Sequence, residues 1–252
     1  MDKSIIFLLK SVPLLIACGY LYRMAISVRF IHFLLNHEPV SISSAMAGSI
    51  PGKPQLFTGV VTLGNPLYSP LTRTPCAAWR TDIDVEYDTV VWDSATEGYG
   101  YSGASEKVKS RTETRDFILD DGTGQILCRI ENAEIDWKIL RAGAMDNAEL
   151  SDPDLSMRGI GTEFLNFRDV VCLRGFKCIE EGLPLAQRVL LTGKVVSEEG
   201  KAYLGAPGWP LPFVIHQQFQ ELLLRKTRIR LALDGVILLL FSAIGVAAHV
   251  YL

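Results

Sequence analysis

Metal and disulfide chemistry have little to work with in this chain. Its 252 residues include only five cysteines (Cys18, Cys76, Cys128, Cys172 and Cys178) and four histidines. The cysteine count is odd, there is no CxxC, and no cysteine lies near a histidine in sequence. That pattern excludes a disulfide framework and a zinc module of ordinary ligand spacing. No cofactor is expected, and the thiols read as reduced and mostly buried. A positive surplus is missing too. The formal net charge of −3 gives no global attraction to nucleic acid, so no nucleic-acid partner is expected. The sequence also lacks a phosphate-cradling loop, a Ser/His/Asp set, paired catalytic carboxylates, internal repeats and low-complexity tracts.

What the chain has in excess is apolar sequence at its two ends. Mean hydropathy is +0.22 although 21% of residues are charged. Residues 5–22, IIFLLKSVPLLIACGYLY, are apolar except for Lys10 and Ser11. Residues 231–252, LALDGVILLLFSAIGVAAHVYL, match the roughly 20 residues a bilayer-spanning helix needs. Asp234 lies in the first turn of that run, and Lys10 can snorkel to the near end of the other. Both segments are expected to span, giving a two-pass integral membrane protein with lipids as its first partners. A rival reading of the first segment is a lipoprotein cleavage box, Leu15-Ile16-Ala17-Cys18, which would make Cys18 the lipidated N-terminus. Arg23 and Arg29 follow the first run, and Arg225, Lys226, Arg228 and Arg230 precede the second. By the positive-inside bias the region between the helices faces the cytoplasm if the membrane is bacterial.

The chain divides into an N-terminal membrane helix (1–24), a juxtamembrane helical segment (25–49), a β domain (50–215), a basic amphipathic helix (216–230) and a C-terminal membrane helix (231–252). Within the β domain, residues 79–87 alternate. Trp79, Ile83, Val85 and Tyr87 share one face, and Arg80, Asp82, Asp84 and Glu86 the other. Further strands are expected at 56–63, 107–119, 125–130, 170–179, 188–196 and 202–204. Residues 99–105, YGYSGAS, read as a glycine-rich loop, and 141–161 as an irregular insertion. Short strands separated by turn signals predict a mainly β fold, a small barrel or sandwich, with an order that points to an OB-type barrel.

Each candidate site has a structural reading beside the functional one. Cys76 follows Thr74-Pro75 and opens the alternating strand. A reactive thiolate needs a base or a positive environment, and the sequence names none beyond Arg73 and Arg80. Buried packing is the expected role. Asp120-Asp121-Gly122-Thr123-Gly124 lacks the later ligands of a calcium loop and reads as a hairpin turn. Cys172 and Cys178 would point to one face of a regular strand as core positions. His216, at a strand-to-helix junction, reads as capping or packing. Arg225, Lys226, Arg228 and Arg230 form the strongest electrostatic feature, expected at the membrane surface against anionic headgroups. An aromatic groove of Trp79, Trp92, Tyr99 and Tyr101 would be needed for an OB-like ligand-binding or nucleic-acid-binding role.

Several of these pieces together resemble the GIDE domain of membrane-anchored ubiquitin ligases and their prokaryotic relatives. They are Gly59-Val60-Val61, the Pro-Leu-x-Ser-Pro-Leu-Thr-x-Thr-Pro-Cys of residues 66–76, and Phe117-x-Leu-Asp-Asp-Gly-Thr-Gly. Glu180-Glu181-Gly182, Leu191-Thr192-Gly193-Lys194-Val195 and Phe219-Gln220-Glu221-Leu222-Leu223 continue the likeness. The resemblance marks Pro66, Ser69, Pro70, Leu71, Thr72, Pro75, Cys76, Asp121, Gly122 and Gly124 as family positions with structural roles and assigns none of them a catalytic one. It implies a domain that binds a protein partner or senses the membrane, or a component of a ubiquitin-ligase system. The ligases carry a zinc-binding RING finger after the second membrane helix. The sequence offers no such residues, so ligase activity is not expected to carry over.

Overall fold

The computed structural model describes residues 3–47, 53–93, 98–145, 172–217 and 220–251. The two apolar runs form the long helices α1 (Lys3–Asn36) and α3 (Gln220–Tyr251). Tyr20 stacks on Phe241 with ring centroids 6.5 Å apart, and Arg23 pairs with Asp234 at 3.2 Å. Pro13 faces Gly245 further along, so the helices run antiparallel. Both are long and apolar enough to cross a membrane. Their outward faces expose Leu14, Leu15, Leu239 and Val246, side chains that a core helix would bury. As expected, α1 continues well beyond its apolar run, and its end is docked. Phe30, Phe33 and Leu34 of α1 and Leu223 of α3 are buried with Leu56, Leu190 and Val214 from the strands.

Five strands close a barrel: β1 (Gln55–Thr62), β5 (Phe117–Asp120), β6 (Gln125–Cys128), β11 (Lys201–Gly205) and β10 (Arg188–Glu198). The order is β1-β5-β6-β11-β10, with β10 returning to β1. Every contact is antiparallel except β6 with β11, the Greek-key arrangement of an OB-type barrel. Two short strands, β12 (Val214–His216) and β7 (Glu134–Ile135), extend this sheet from β10. A six-residue helix, α2 (Ile42–Ala47), packs Ile42 and Ala45 into the same core.

The second sheet is built from two excursions out of the barrel. Between β1 and β5 the chain makes β2 (Leu67–Tyr68), β3 (Pro75–Asp93) and β4 (Gly98–Thr114). Between β6 and β10 it makes β8 (Lys138–Met145) and β9 (Cys172–Pro184). β3 lies between β9 and β4, with β8 outside β9, as a half-barrel. The main core joins the two sheets: Phe57, Phe117, Leu119, Leu191 and Leu204 of the barrel are buried with Ala77, Ala78 and Leu183 of the half-barrel. A smaller core of Ile83, Val85, Met145, Phe176 and Cys178 lies further out. The charged face of β3 is laced across strands, by Lys107 to Asp82 at 2.8 Å, Arg174 to Asp88 at 2.7 Å and Arg80 to Glu181.

Three expectations change. Residues 99–105 are part of β4 rather than a loop. Tyr99 pairs across from Trp92 and Tyr101 across from Val90, and such pairs hold a strand that its glycines would weaken. Residues 107–119 form two strands in different sheets. The chain crosses at Arg115 and Asp116, where the Arg115 amide donates to the Ala77 carbonyl and Asp116 accepts the Ile130 amide. Residues 141–145 belong to β8, and the rest of that expected insertion lies outside the described residues, as do Val170 and Phe219.

Candidate functional site

The proline-rich stretch before β3 folds into a turn around a buried carboxylate. Glu180, fully buried on β9, accepts hydrogen bonds from the Leu71 amide at 2.7 Å, the Thr72 amide at 2.9 Å and the Thr72 hydroxyl at 2.7 Å. Ser69 completes the loop, its hydroxyl accepting from the Thr74 amide and its amide donating to the Thr74 carbonyl, both at 3.0 Å. Pro70 and Pro75 lack an N–H, so their nitrogens need no acceptor here. Arg73, at φ 55°, makes the left-handed step that turns the chain. Glu180 was visible only within a Glu-Glu-Gly string. Its signal is phase: Phe176, Cys178 and Glu180 are the buried alternates of β9. A carboxylate in a core register requires partners.

Cys76 lies beside this turn, with its Sγ donating to the Thr74 carbonyl at 3.3 Å. Burial, with Glu180 nearby, pushes its thiol up to about 12. A thiol so placed is not a nucleophile near neutral pH. Gly182 explains the fit: a Cβ there would come within 2.8 Å of Leu140 and 3.0 Å of Cys76 Sγ. Cys128 is raised by burial as well, Cys178 is buried, and the Cys172 side chain lies outside the described residues.

Asp121 fastens a second turn to a helix. Its Oδ1 accepts the Thr123 amide at 2.8 Å, the Thr123 hydroxyl at 2.7 Å and the Gly124 amide at 3.0 Å. Its Oδ2 accepts the Ile42 amide at 2.7 Å, the first amide of α2. Gly122, at φ 83°, supplies the left-handed residue of the hairpin, and Gly124 leaves room for Ile42. Desolvation raises the Asp121 carboxyl, and the four hydrogen bonds outweigh it, so it titrates below its ordinary value. The turn is a clamp between β5, β6 and α2.

The basic cluster divides. Lys226 reaches Asp136 at 2.7 Å and Arg230 reaches Glu134 at 3.4 Å, joining α3 to β7 and the residue after it. Arg225 and Arg228 are exposed. Buried His216 sits 3.3 Å from Asp136, at the junction where packing was expected. Near the same level of α1, exposed Trp209 donates its indole N–H to the Tyr22 hydroxyl at 2.9 Å. The four aromatic residues of the conjectured groove are not brought together. Trp79 is buried, whereas Trp92, Tyr99 and Tyr101 are exposed on the far part of the β3–β4 hairpin, with Trp92 edge-on to Tyr99 at 5.0 Å. Among the described residues no group of three His, Cys, Asp or Glu side chains is placed to hold a metal ion.

No curated protein and no solved structure matches the chain. A family model does. The GIDE model, described as "E3 Ubiquitin ligase", matches residues 95–249. That span runs from β4 into α3 and holds Glu180 and the Asp121 turn, while the Ser69–Cys76 turn that wraps Glu180 lies just outside it. With more than half of its length matched, the chain belongs to the GIDE family.

Proposed function

We propose that the chain is a two-pass membrane protein whose β domain is a non-catalytic module, binding a protein partner or sensing the membrane surface. One observation carries this reading. The side chains of the family signature are engaged in holding the fold: Glu180 binds the turn, Asp121 clamps α2, and the Cys76 thiol is buried and protonated. The exposed leucines and valines of α1 and α3 support bilayer insertion. Arg225 and Arg228, on the exposed side of α3, are then available to anionic headgroups, and a cytoplasmic domain follows if the membrane is bacterial.

The decisive experiment is crosslinking in native membranes, scored for a protein neighbour that depends on the β domain. A specific neighbour, together with no ubiquitin transfer by the purified chain supplied with activating and conjugating enzymes, is the expected result. The family description favours a second reading, a component of an E3 ligase system. Ubiquitin conjugates formed by the purified chain would establish it, and their loss in Cys76→Ser would make that thiol catalytic.

A further inference from the structure

The root of the helix hairpin forms a half-open pocket of about 380 Å³, within the range of small-ligand sites, bounded by α1, α3, β7 and β12. Phe30 is among its apolar walls, and its polar lining carries both signs of charge. Arg23 comes from α1, and Lys226 and Arg230 come from successive turns of α3. Facing them are Glu134 of β7 and Asp136 just beyond it. The Arg230–Glu134 pair is exposed, its side chains 56% and 63% accessible, and Lys226, 54% accessible, pairs with the half-buried Asp136. Such pairs contribute little and have donors and acceptors to spare.

The cavity also has a defined height along the helices. Arg23 follows Tyr22, the residue to which Trp209 is hydrogen-bonded, and Arg23 pairs with Asp234, four residues into the C-terminal apolar run. Tryptophan and tyrosine gather at the headgroup level of a bilayer, and the ion pair marks the edge of the hydrocarbon. On the reading that α1 and α3 span the membrane, on which this inference rests, the cavity lies where phospholipid headgroups lie.

We infer that the cavity binds the headgroup of a phospholipid bearing a primary amine, with the phosphate on Arg23 and Arg230 and the ammonium on Glu134 and Asp136. The charge pattern selects this class. An acidic headgroup without an amine would leave two carboxylates facing its phosphate. A choline headgroup has no N–H to donate and is recognised by aromatic cages. The lining offers only Phe30 and the His216 imidazole, which lies 3.3 Å from Asp136, and so no such cage.

The test uses the full chain in nanodiscs containing equal parts of phosphatidylethanolamine, phosphatidylcholine and phosphatidylglycerol, with the lipids that stay bound counted by native mass spectrometry. Phosphatidylethanolamine should be retained about tenfold over either competitor, the value of one charge-assisted hydrogen bond. Glu134→Gln with Arg230→Gln should remove that preference, and Thr227→Trp, which fills the cavity from α3, should remove retention altogether. Equal retention of the three lipids by the unaltered chain overturns the inference whatever the variants do. Unchanged preference in both variants overturns it too. Carbonate extraction of the source membranes separates this from the spanning reading. A chain that resists extraction but shows no preference leaves spanning intact and removes the lipid site. A chain released by carbonate removes the spanning reading, and this inference with it.

Discussion

At the scale of the residue, the signature side chains differ in what their loss costs. Glu180→Ala leaves the part-buried amides of Leu71 and Thr72, and the Thr72 hydroxyl, without their acceptor, at about 1–1.5 kcal/mol each. The expected result is an unfolding midpoint roughly 10 °C lower in the full chain, read by thermal unfolding. Glu180→Gln, which keeps one acceptor oxygen, should fall between. Cys76 gives a pH signature instead. Its pKa is 9.0 when unfolded and about 12 in the fold, so its contribution is complete below pH 9 and declines from there towards pH 12. Thiol labelling of Cys76 at pH 8.5 should be slow until the protein is denatured, and labelling at the denatured rate in the native state would contradict the buried position. The sequence placed Cys76 in the fold because it named no activating base. It could not show Glu180 as the reason for the turn, because that partner lies more than a hundred residues away and only strand phase betrays it.

At the scale of the element, α2 depends on Asp121 as much as on its own sequence. Six residues are too few to be stable alone, and Asp121 supplies the acceptor for its first amide. Because the Asp121 carboxyl is depressed, its clamp is present above the ordinary carboxylate pKa and is lost as pH falls through the folded value. Amide exchange in residues 42–47, taken relative to the intrinsic rate at each pH, should therefore accelerate below about pH 4, before the barrel opens. Asp121→Ala should produce the same acceleration at neutral pH and cost about 1 kcal/mol. Protection unchanged in that variant would show that Ile42 packing alone holds α2. The elements legible in the sequence were the two apolar helices, β1, β6, β9, β10, β11 and the alternating part of β3. The others were hidden for physical reasons. β2, β7 and β12 are two or three residues long and exist only because a neighbour offers a ladder. β4 hides its pattern behind glycines, and β5 is split from it by a crossing between sheets that no local period records.

At the scale of the whole molecule, the antiparallel helices place both chain ends on the side away from the β domain. In sealed vesicles, protease should reach either the β domain or a tag appended after Leu252, never both. If the domain is cytoplasmic, Arg225→Gln with Arg228→Gln should weaken that orientation. The pair is the better choice than neutralising all four cations, because Lys226 and Arg230 also hold α3 to β7. Protection of the domain in inside-out vesicles would reverse the proposed side. The closed barrel has a further consequence, one of timing. β1 meets β10 across roughly 130 residues of sequence, Thr58 lying opposite Leu190. At about 5–20 residues per second, β1 therefore leaves the ribosome on the order of ten seconds before the strand that closes it. By then α1 is already made and, on the proposed spanning reading, tethers the chain to the membrane, with one side of β1 open to any passing strand. The nascent chain needs a shield for that interval.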